Sequence, residues 1–200
     1  MKTRGKLLVL GAVLGVTSAG LAMTLEAPGG DPEVVELLSG ISYSPTKNSI
    51  DLVMGSAALE DLITIAEDSS SGSDPGVRIR AWRALGEYPL SPDATLASDA
   101  LRNGIAEFAT AEQGTNLLFL RACLLSLAQL EGGESVASLV PHLSHQSRDI
   151  RASAAQALGI TGSSEAYPYL LDRALVEEED QVKLAIADAL FELDLANASN

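Results

Sequence analysis

Few residues in this sequence have the type and spacing needed for chemistry. His142 and His145 are three positions apart, which brings two imidazole rings to one face of a helix and could hold a metal ion. The sequence implies no third ligand beside them, and histidines near a helix C-terminus also interact favourably with the helix dipole. We therefore predict a helix-end role for this pair, with no metal ligand and no cofactor.

The remaining candidates also favour structural roles. The acidic run 177–180 is placed to interact with the positive end of a helix dipole, and calcium binding is the alternative. Cys123 is the single cysteine and lies in an apolar run, so we expect a buried thiol and no disulfide. The sequence contains no Gly-x-Ser-x-Gly motif, P-loop or dinucleotide-binding glycine pattern. We predict a protein that is not an enzyme and has no catalytic residues.

A repeated pattern runs through four stretches, at residues 74–86, 117–129, 147–159 and 179–191. In each, an aliphatic residue precedes a basic one, and small or aliphatic residues follow three, six and seven positions later on one helical face. Because a lone buried cation is costly, each basic residue must either be paired or reach solvent. Their recurrence favours pairing with carboxylates or helix-end carbonyls of a neighbouring repeat. These residues are Arg78, Arg121, Arg151 and Lys183, spaced 30 to 43 positions apart as in arrays of helical hairpins.

The positions two and five residues after each basic residue lie outside the apolar arc. Stacking would align them across one surface, which makes this surface the predicted protein-binding site. The residues that we assign to it are Arg80, Arg83, Ser126, Ser153, Gln156 and Asp188.

Helical spacing of apolar residues also marks the segments between these stretches, so each stretch has a partner helix. A short lead-in helix begins at Asp31-Pro32-Glu33, and residues 41–48 have the composition of a loop. We predict an all-α fold, an α-solenoid of about four antiparallel helical hairpins after an N-terminal signal peptide. The predicted partner helices are residues 56–67, 92–108, 135–143 and 166–176.

The pattern D-x-x-V-R-x-x-A-x-x-A-L-G, carried by residues 74–86, resembles the short HEAT repeats shared with phycobilisome-type lyases. The resemblance covers roughly residues 50–195. It implies a helical repeat fold, and it implies an accessory factor or lyase-like chaperone of a cofactor protein as one alternative function. HEAT-like repeats also include an iron hydroxylase that binds metal through His-Glu pairs. Here Leu143 and Gln146 follow the two histidines, so that activity is not expected.

The first 22 residues have the form of a signal peptide: a basic start, an apolar stretch, and small residues at Gly20 and Ala22. We therefore divide the chain into the signal peptide 1–22, a linker with a lead-in helix at 23–49, and a repeat domain at 50–200. A periplasmic or extracellular location follows. The alternative is an uncleaved anchor in the inner membrane at residues 7–25, which carry no charge before Glu26.

A formal net charge of −14 argues against nucleic acid and anionic membranes as partners. The charge is typical of a solvated surface that keeps the protein soluble, and the alternative is that it serves a protein partner with a basic surface. Near the C-terminus, Phe191, Leu193 and Leu195 continue without a charged capping helix, although repeat arrays need polar ends. This predicts self-association or docking of a partner through the last repeat. The predicted function is an exported, non-catalytic interaction module or scaffold, with a self-assembling envelope component as a further alternative.

Overall fold

The computed structural model describes residues 32–39, 46–89 and 94–198. The predicted signal peptide at 1–22, the alternative anchor at 7–25 and most of the loop predicted at 41–48 lie outside these residues. Within them the regular structure is helical and no strand occurs, so the all-α prediction is confirmed. None of the helices in the described part is long and apolar enough to cross a membrane.

The helices follow one another as an array of antiparallel pairs, as predicted. Two helices precede the array, α1 (Pro32–Leu38) and α2 (Lys47–Met54). The pairs are α3 (Ala58–Glu67) with α4 (Pro75–Ala84), α5 (Ala94–Phe108) with α6 (Thr115–Glu131), α7 (Val136–Leu139) with α8 (Arg148–Ile160), and α9 (Tyr167–Val176) with α10 (Asp180–Ala198).

Local sequence sets several helix ends. The Asp74 carboxylate accepts hydrogen bonds from the backbone N–H groups of Gly76 at 2.6 Å and Val77 at 3.2 Å, and Pro75 opens α4. This is the expected N-terminal cap. At the other end of a helix, α6 stops where Gly132 adopts a φ of 57°, a conformation that is costly for a residue with a Cβ.

Helix α2 was not predicted from the sequence, and it crosses the proposed domain boundary at residues 49 and 50. It begins after Thr46, whose hydroxyl oxygen accepts from the Ser49 N–H at 3.4 Å, and it carries an ion pair between Lys47 and Asp51. Together with α1 it packs beside α3, and α1 also contacts α4. The two helices therefore cover the N-terminal end of the array.

The helix predicted at residues 135–143 is mostly distorted. Only α7 has α-helical geometry, and tighter 3₁₀ turns flank it at Gly132–Ser135 and Val140–Ser144. Pro141 has no N–H and its ring clashes with the carbonyl four residues earlier, so an α-helix cannot continue through it.

The second helices of the pairs, α4, α6, α8 and α10, pack against one another in chain order and form what we call the inner row. Two glycines permit the closest approaches. A Cβ on Gly86 would lie 3.0 Å from the Ser126 Cα, and a Cβ on Gly159 would lie 2.8 Å from the Ala189 Cα. The main chains of α8 and α10 can pack this tightly because Gly159 has no side chain.

Arg151 fulfils the expectation that the basic residues link neighbouring repeats. Its Nε and Nη2 atoms donate to the two oxygens of Glu177 at 2.9 Å each, and its Nη1 donates to the carbonyls of His145 and Gln146. Arg173 donates to the same carboxylate at 2.6 Å. Glu177 therefore joins α8 to the last hairpin.

Arg78 also contacts a neighbouring repeat, whereas the hydrogen bond of Lys183 lies within its own repeat. The Arg78 Nε donates to the Ala66 carbonyl at the end of α3 at 3.0 Å, and its guanidinium lies 4.4 Å from the Phe119 ring of the next repeat. Lys183 is exposed and donates to the Glu178 carbonyl at 3.0 Å, inside its own repeat.

Arg121 was wrongly aligned with these residues. Ser126 contacts Gly86 as Ala189 contacts Gly159, and burial along 119–130 matches burial along 150–161 at most positions. Both comparisons place buried Leu120, not Arg121, at the position of Arg151. The apolar residues of α6 fit the repeat pattern whether Leu120 or Arg121 is placed at the position of Arg151. The repeat pattern calls for a basic residue there, and Arg121 is the basic residue of this helix, so the sequence favoured the incorrect alignment.

Candidate protein-interaction surface

Two adjoining cavities lie along the inner row, and we call them together the inner groove. The larger has a volume of about 630 Å³ and is lined mainly by α8 and α10, with Arg121 of α6. The smaller, of about 220 Å³, is lined by α4, the turn after it, α6 and α8. Gln156 and Ile160 line both cavities, so the groove passes across all four helices of the inner row.

All six residues assigned to the binding surface from the sequence line this groove. Arg80, Arg83 and Ser126 border the smaller cavity, Ser153 and Asp188 border the larger, and Gln156 borders both. The helical period therefore placed these six residues on the side of the helices that forms the groove. Their role in binding stays a prediction.

Three of the six have restricted side chains. Arg80 donates through Nε to the Leu38 carbonyl, which ties α4 to α1. Ser126 and Ser153 are each 3% exposed, and their hydroxyls donate to the carbonyls of Arg83 and Asp149. Both serines lie in the floor of the groove, because inner-row helices cover these positions from two sides.

Arg83, Gln156 and Asp188 are exposed in the groove and can contact a partner. Further residues that line the groove were not predicted from the sequence, among them Arg121, Gln181 and Glu192. Arg121 was misplaced by the one-residue error in α6. Glu192 lies four residues after Asp188 on the same face of α10, so the helical period extended by one turn would have found it.

Small residues dominate the floor of the larger cavity. Ala152, Gly159, Ala185 and Ala189 line it, while carboxylates, amides and Arg121 stand around them. A surface with an apolar floor and a polar rim resembles the core and rim of protein interfaces.

The two histidines are not arranged as a metal site. His145 Nε2 lies 3.1 Å from the Ala109 carbonyl, and its Nδ1 accepts from the Ser147 N–H at 3.0 Å, so both ring nitrogens are engaged. His142 is buried, which lowers its pKa, and the neighbouring His145 lowers it further. In the described part of the chain no group of three His, Cys, Asp or Glu residues could hold a metal ion.

Cys123, Glu177 and Trp82 could also have taken part in chemistry, and each is held in a structural role. Cys123 is fully buried as expected, and burial raises the pKa of its thiol well above the usual range. The Glu177 carboxylate, the first acid of the run considered for calcium, accepts from Arg151, Arg173 and the N–H groups of Glu178 and Glu179. Its two oxygens are therefore occupied by protein donors. Trp82 is buried against Phe108 in the core.

The array of antiparallel hairpins with a groove along one helix row defines an α-solenoid. Residues 108–190 match the family model for HEAT repeats, which confirms the HEAT resemblance for the part of the chain from the end of α5 into α10. No curated protein matches the chain. HEAT repeats commonly serve in protein–protein interaction, while the likeness to phycobilisome-type lyases stays a prediction.

Proposed function

We propose that this protein is an exported, non-catalytic interaction module that holds a protein partner in the inner groove. The observation that carries the proposal is the continuity of this groove across α4, α6, α8 and α10, with exposed polar groups on every helix of the row. Solenoids use such extended surfaces to bind other proteins. The signal-peptide form of residues 1–22 supports export.

An affinity capture from the protein's own envelope fraction, with mild cross-linking and mass spectrometry, tests the interaction. We expect one dominant partner whose recovery falls at least tenfold when Arg83→Glu and Gln156→Glu are combined. Both side chains are exposed in the groove, so the variant should keep the melting temperature of the wild type. Arg80 is unsuitable as a probe because its loss would also release α1.

The matched control combines Lys183→Glu with Gln113→Glu, two exposed positions that do not line the groove, and it changes the net charge by the same amount. Loss of the partner with the control, or capture that survives the groove variant, would contradict the location of the site. Failure to recover any partner would contradict the interaction module itself.

The export proposal has its own measurement. The N-terminus of the protein purified from its native source should begin at Met23, after cleavage behind Ala22. A chain that retains residues 7–25 and sediments with the membrane would instead establish the uncleaved anchor.

A second candidate function is self-assembly through the last repeat. Leu184 and Phe191 of α10 are 64% and 61% exposed, and Leu171 and Leu175 of α9 are also exposed. The two α10 residues are seven positions apart and therefore lie on one face, about half a turn from Val182, Ile186 and Leu193, which are buried. This is the face that a further repeat would cover, and a second copy of the chain could cover it instead.

A further inference from the structure

The charged side chains of the inner groove are sorted by sign along the row of helices. Arginines stand on the first two helices and carboxylates on the last two. From α4 to α10 the charged lining residues are Arg80, Arg83 and Glu87, then Arg121, then Asp149, and finally Asp188 and Glu192. The formal charge of the lining residues is therefore +1 on α4 with its following turn, +1 on α6, −1 on α8 and −2 on α10.

Several of these charges are available to a partner. No ion pair among the described residues involves Arg83, Arg121, Asp188 or Glu192. Glu87, the exception to the sorting, accepts a hydrogen bond from Gln129 at 2.8 Å. The sorting also contrasts with the chain as a whole, whose net charge of −14 would make a uniformly acidic groove the simplest outcome.

We propose that the groove binds a bipolar protein segment, with acidic side chains over α4 and α6 and basic side chains over α8 and α10. This inference rests on the proposed interaction function and specifies the partner for the same groove. Complementary charges steer encounter and fix register, whereas like charges placed opposite each other disfavour a complex. A uniformly basic segment would meet the arginines, and a uniformly acidic one would meet Asp188 and Glu192.

The length of the segment follows from helix packing. Neighbouring packed helices lie about 8–10 Å apart, so three intervals across the inner row span roughly 24–30 Å. A helical segment rises about 1.5 Å per residue and would need about 16–20 residues to cross the groove. The alanines and Gly159 in the floor leave room for such a segment to approach the inner row.

The test uses four labelled, alanine-rich peptides of 20 residues with eight charges each. In the bipolar peptide the acidic residues occupy one half and the basic residues the other. The remaining three carry alternating charges, basic charges only or acidic charges only. By fluorescence anisotropy at low ionic strength, we expect the bipolar peptide to bind the full-length protein about tenfold tighter than the others, as several surface ion pairs together allow.

Charge reversal at the acidic end provides the decisive comparison. Asp188→Lys with Glu192→Lys should weaken the bipolar peptide about tenfold and make the acidic-only peptide the tightest ligand. Both residues are exposed, and circular dichroism with a melting curve verifies the fold. The control, Asp99→Lys with Glu112→Lys, changes the net charge equally and should leave the bipolar peptide tightest.

Equal binding of the four peptides, or of none, would overturn the inference. So would a control variant that shifts the preference as much as the groove variant, because only net charge would then matter. The proposed function is judged separately by affinity capture. A partner captured through the groove whose binding is indifferent to the Asp188 and Glu192 reversals would keep the interaction module and overturn its bipolar specificity.

Discussion

At the scale of single residues, Glu177 is the most heavily bonded side chain in the described part of the protein. Its carboxylate is 1% exposed and faces Arg151 and Arg173, whose side chains are 12% and 19% exposed. Hydrogen bonds from Arg151 and from the Glu179 N–H hold the pKa of Glu177 at about 2, although burial acts in the opposite direction. The charged form is therefore strongly favoured by the folded state.

We predict that Glu177→Gln destabilises the protein by about 3–5 kcal/mol, because two mostly buried arginine side chains lose their carboxylate. The free energy of unfolding from urea titration measures this loss. Glu178→Gln, one residue along the chain and exposed, should stay within about 0.5 kcal/mol of the wild type. Similar losses in the two variants would show that Glu177 contributes only surface charge.

The same residue gives a pH dependence of defined sign. A carboxylate whose folded pKa is depressed stabilises the protein fully above its unfolded pKa, here about 4.5, and that contribution disappears as pH falls towards 2. The stability difference between wild type and Glu177→Gln should therefore be constant above pH 5 and shrink between pH 4.5 and 2. A difference independent of pH across this window would contradict the role of the charge.

At the scale of helices, the sequence predicts the inner row well and its partners less well. Asp74, with Pro75 behind it, and the periodic alanines determine α4 and α8 through local chemistry, which the amino-acid pattern contains. Helix α2 escaped prediction because it has only eight residues and begins within a stretch rich in Ser, Pro and Asn, which has the composition of a loop. Its position depends on contacts with α1 and α3, and a single sequence does not display such contacts.

The candidate site was also predicted only in part, because local sequence determines some of its features and packing between helices determines the others. The helical period alone placed Arg83, Gln156 and Asp188 on the side of their helices that forms the groove. It placed Ser126 at an outward position, because the one-residue error in α6 hid that Ser126 is the buried counterpart of Ala189. It also misplaced Arg121, because an almost wholly apolar helix such as α6 does not reveal its own rotation.

Close packing of α8 on α10 leads to an element-scale prediction. Replacing a helical glycine by alanine ordinarily stabilises a helix by up to about 1 kcal/mol. In Gly159→Ala the added Cβ would lie 2.8 Å from the Ala189 Cα, so the helices must separate, and we expect a net loss of about 1–3 kcal/mol. The free energy of unfolding from urea titration shows whether Gly159→Ala stabilises or destabilises the protein. Gln156→Ala in the same helix is the control and should be nearly neutral, and a stabilised Gly159→Ala would show that the inner row is loosely packed.

At the scale of the whole molecule, the two ends of the array differ. Helices α1 and α2 cover the N-terminal hairpin, and Arg80 of α4 secures α1 through the Leu38 carbonyl. The C-terminal hairpin presents Leu184 and Phe191 to solvent, with no further helix over them in the described residues. An apolar end of a repeat array is a site for association, since burial of such side chains is favourable.

We predict that the protein associates through this end and that Phe191→Asp makes it monomeric. A charge introduced among apolar side chains would have to be buried without a partner, which strongly disfavours the complex. Light scattering across a concentration series measures the effect.

Leu52→Asp is the matched control, because Leu52 is 87% exposed at the opposite end of the array, on α2. If the wild type is monomeric at every concentration, the apolar end is not a self-association surface. If Leu52→Asp dissociates the assembly as completely as Phe191→Asp, copies join the N-terminal end of one array to the C-terminal end of the next, and the assembly would grow as an open chain rather than close as a dimer.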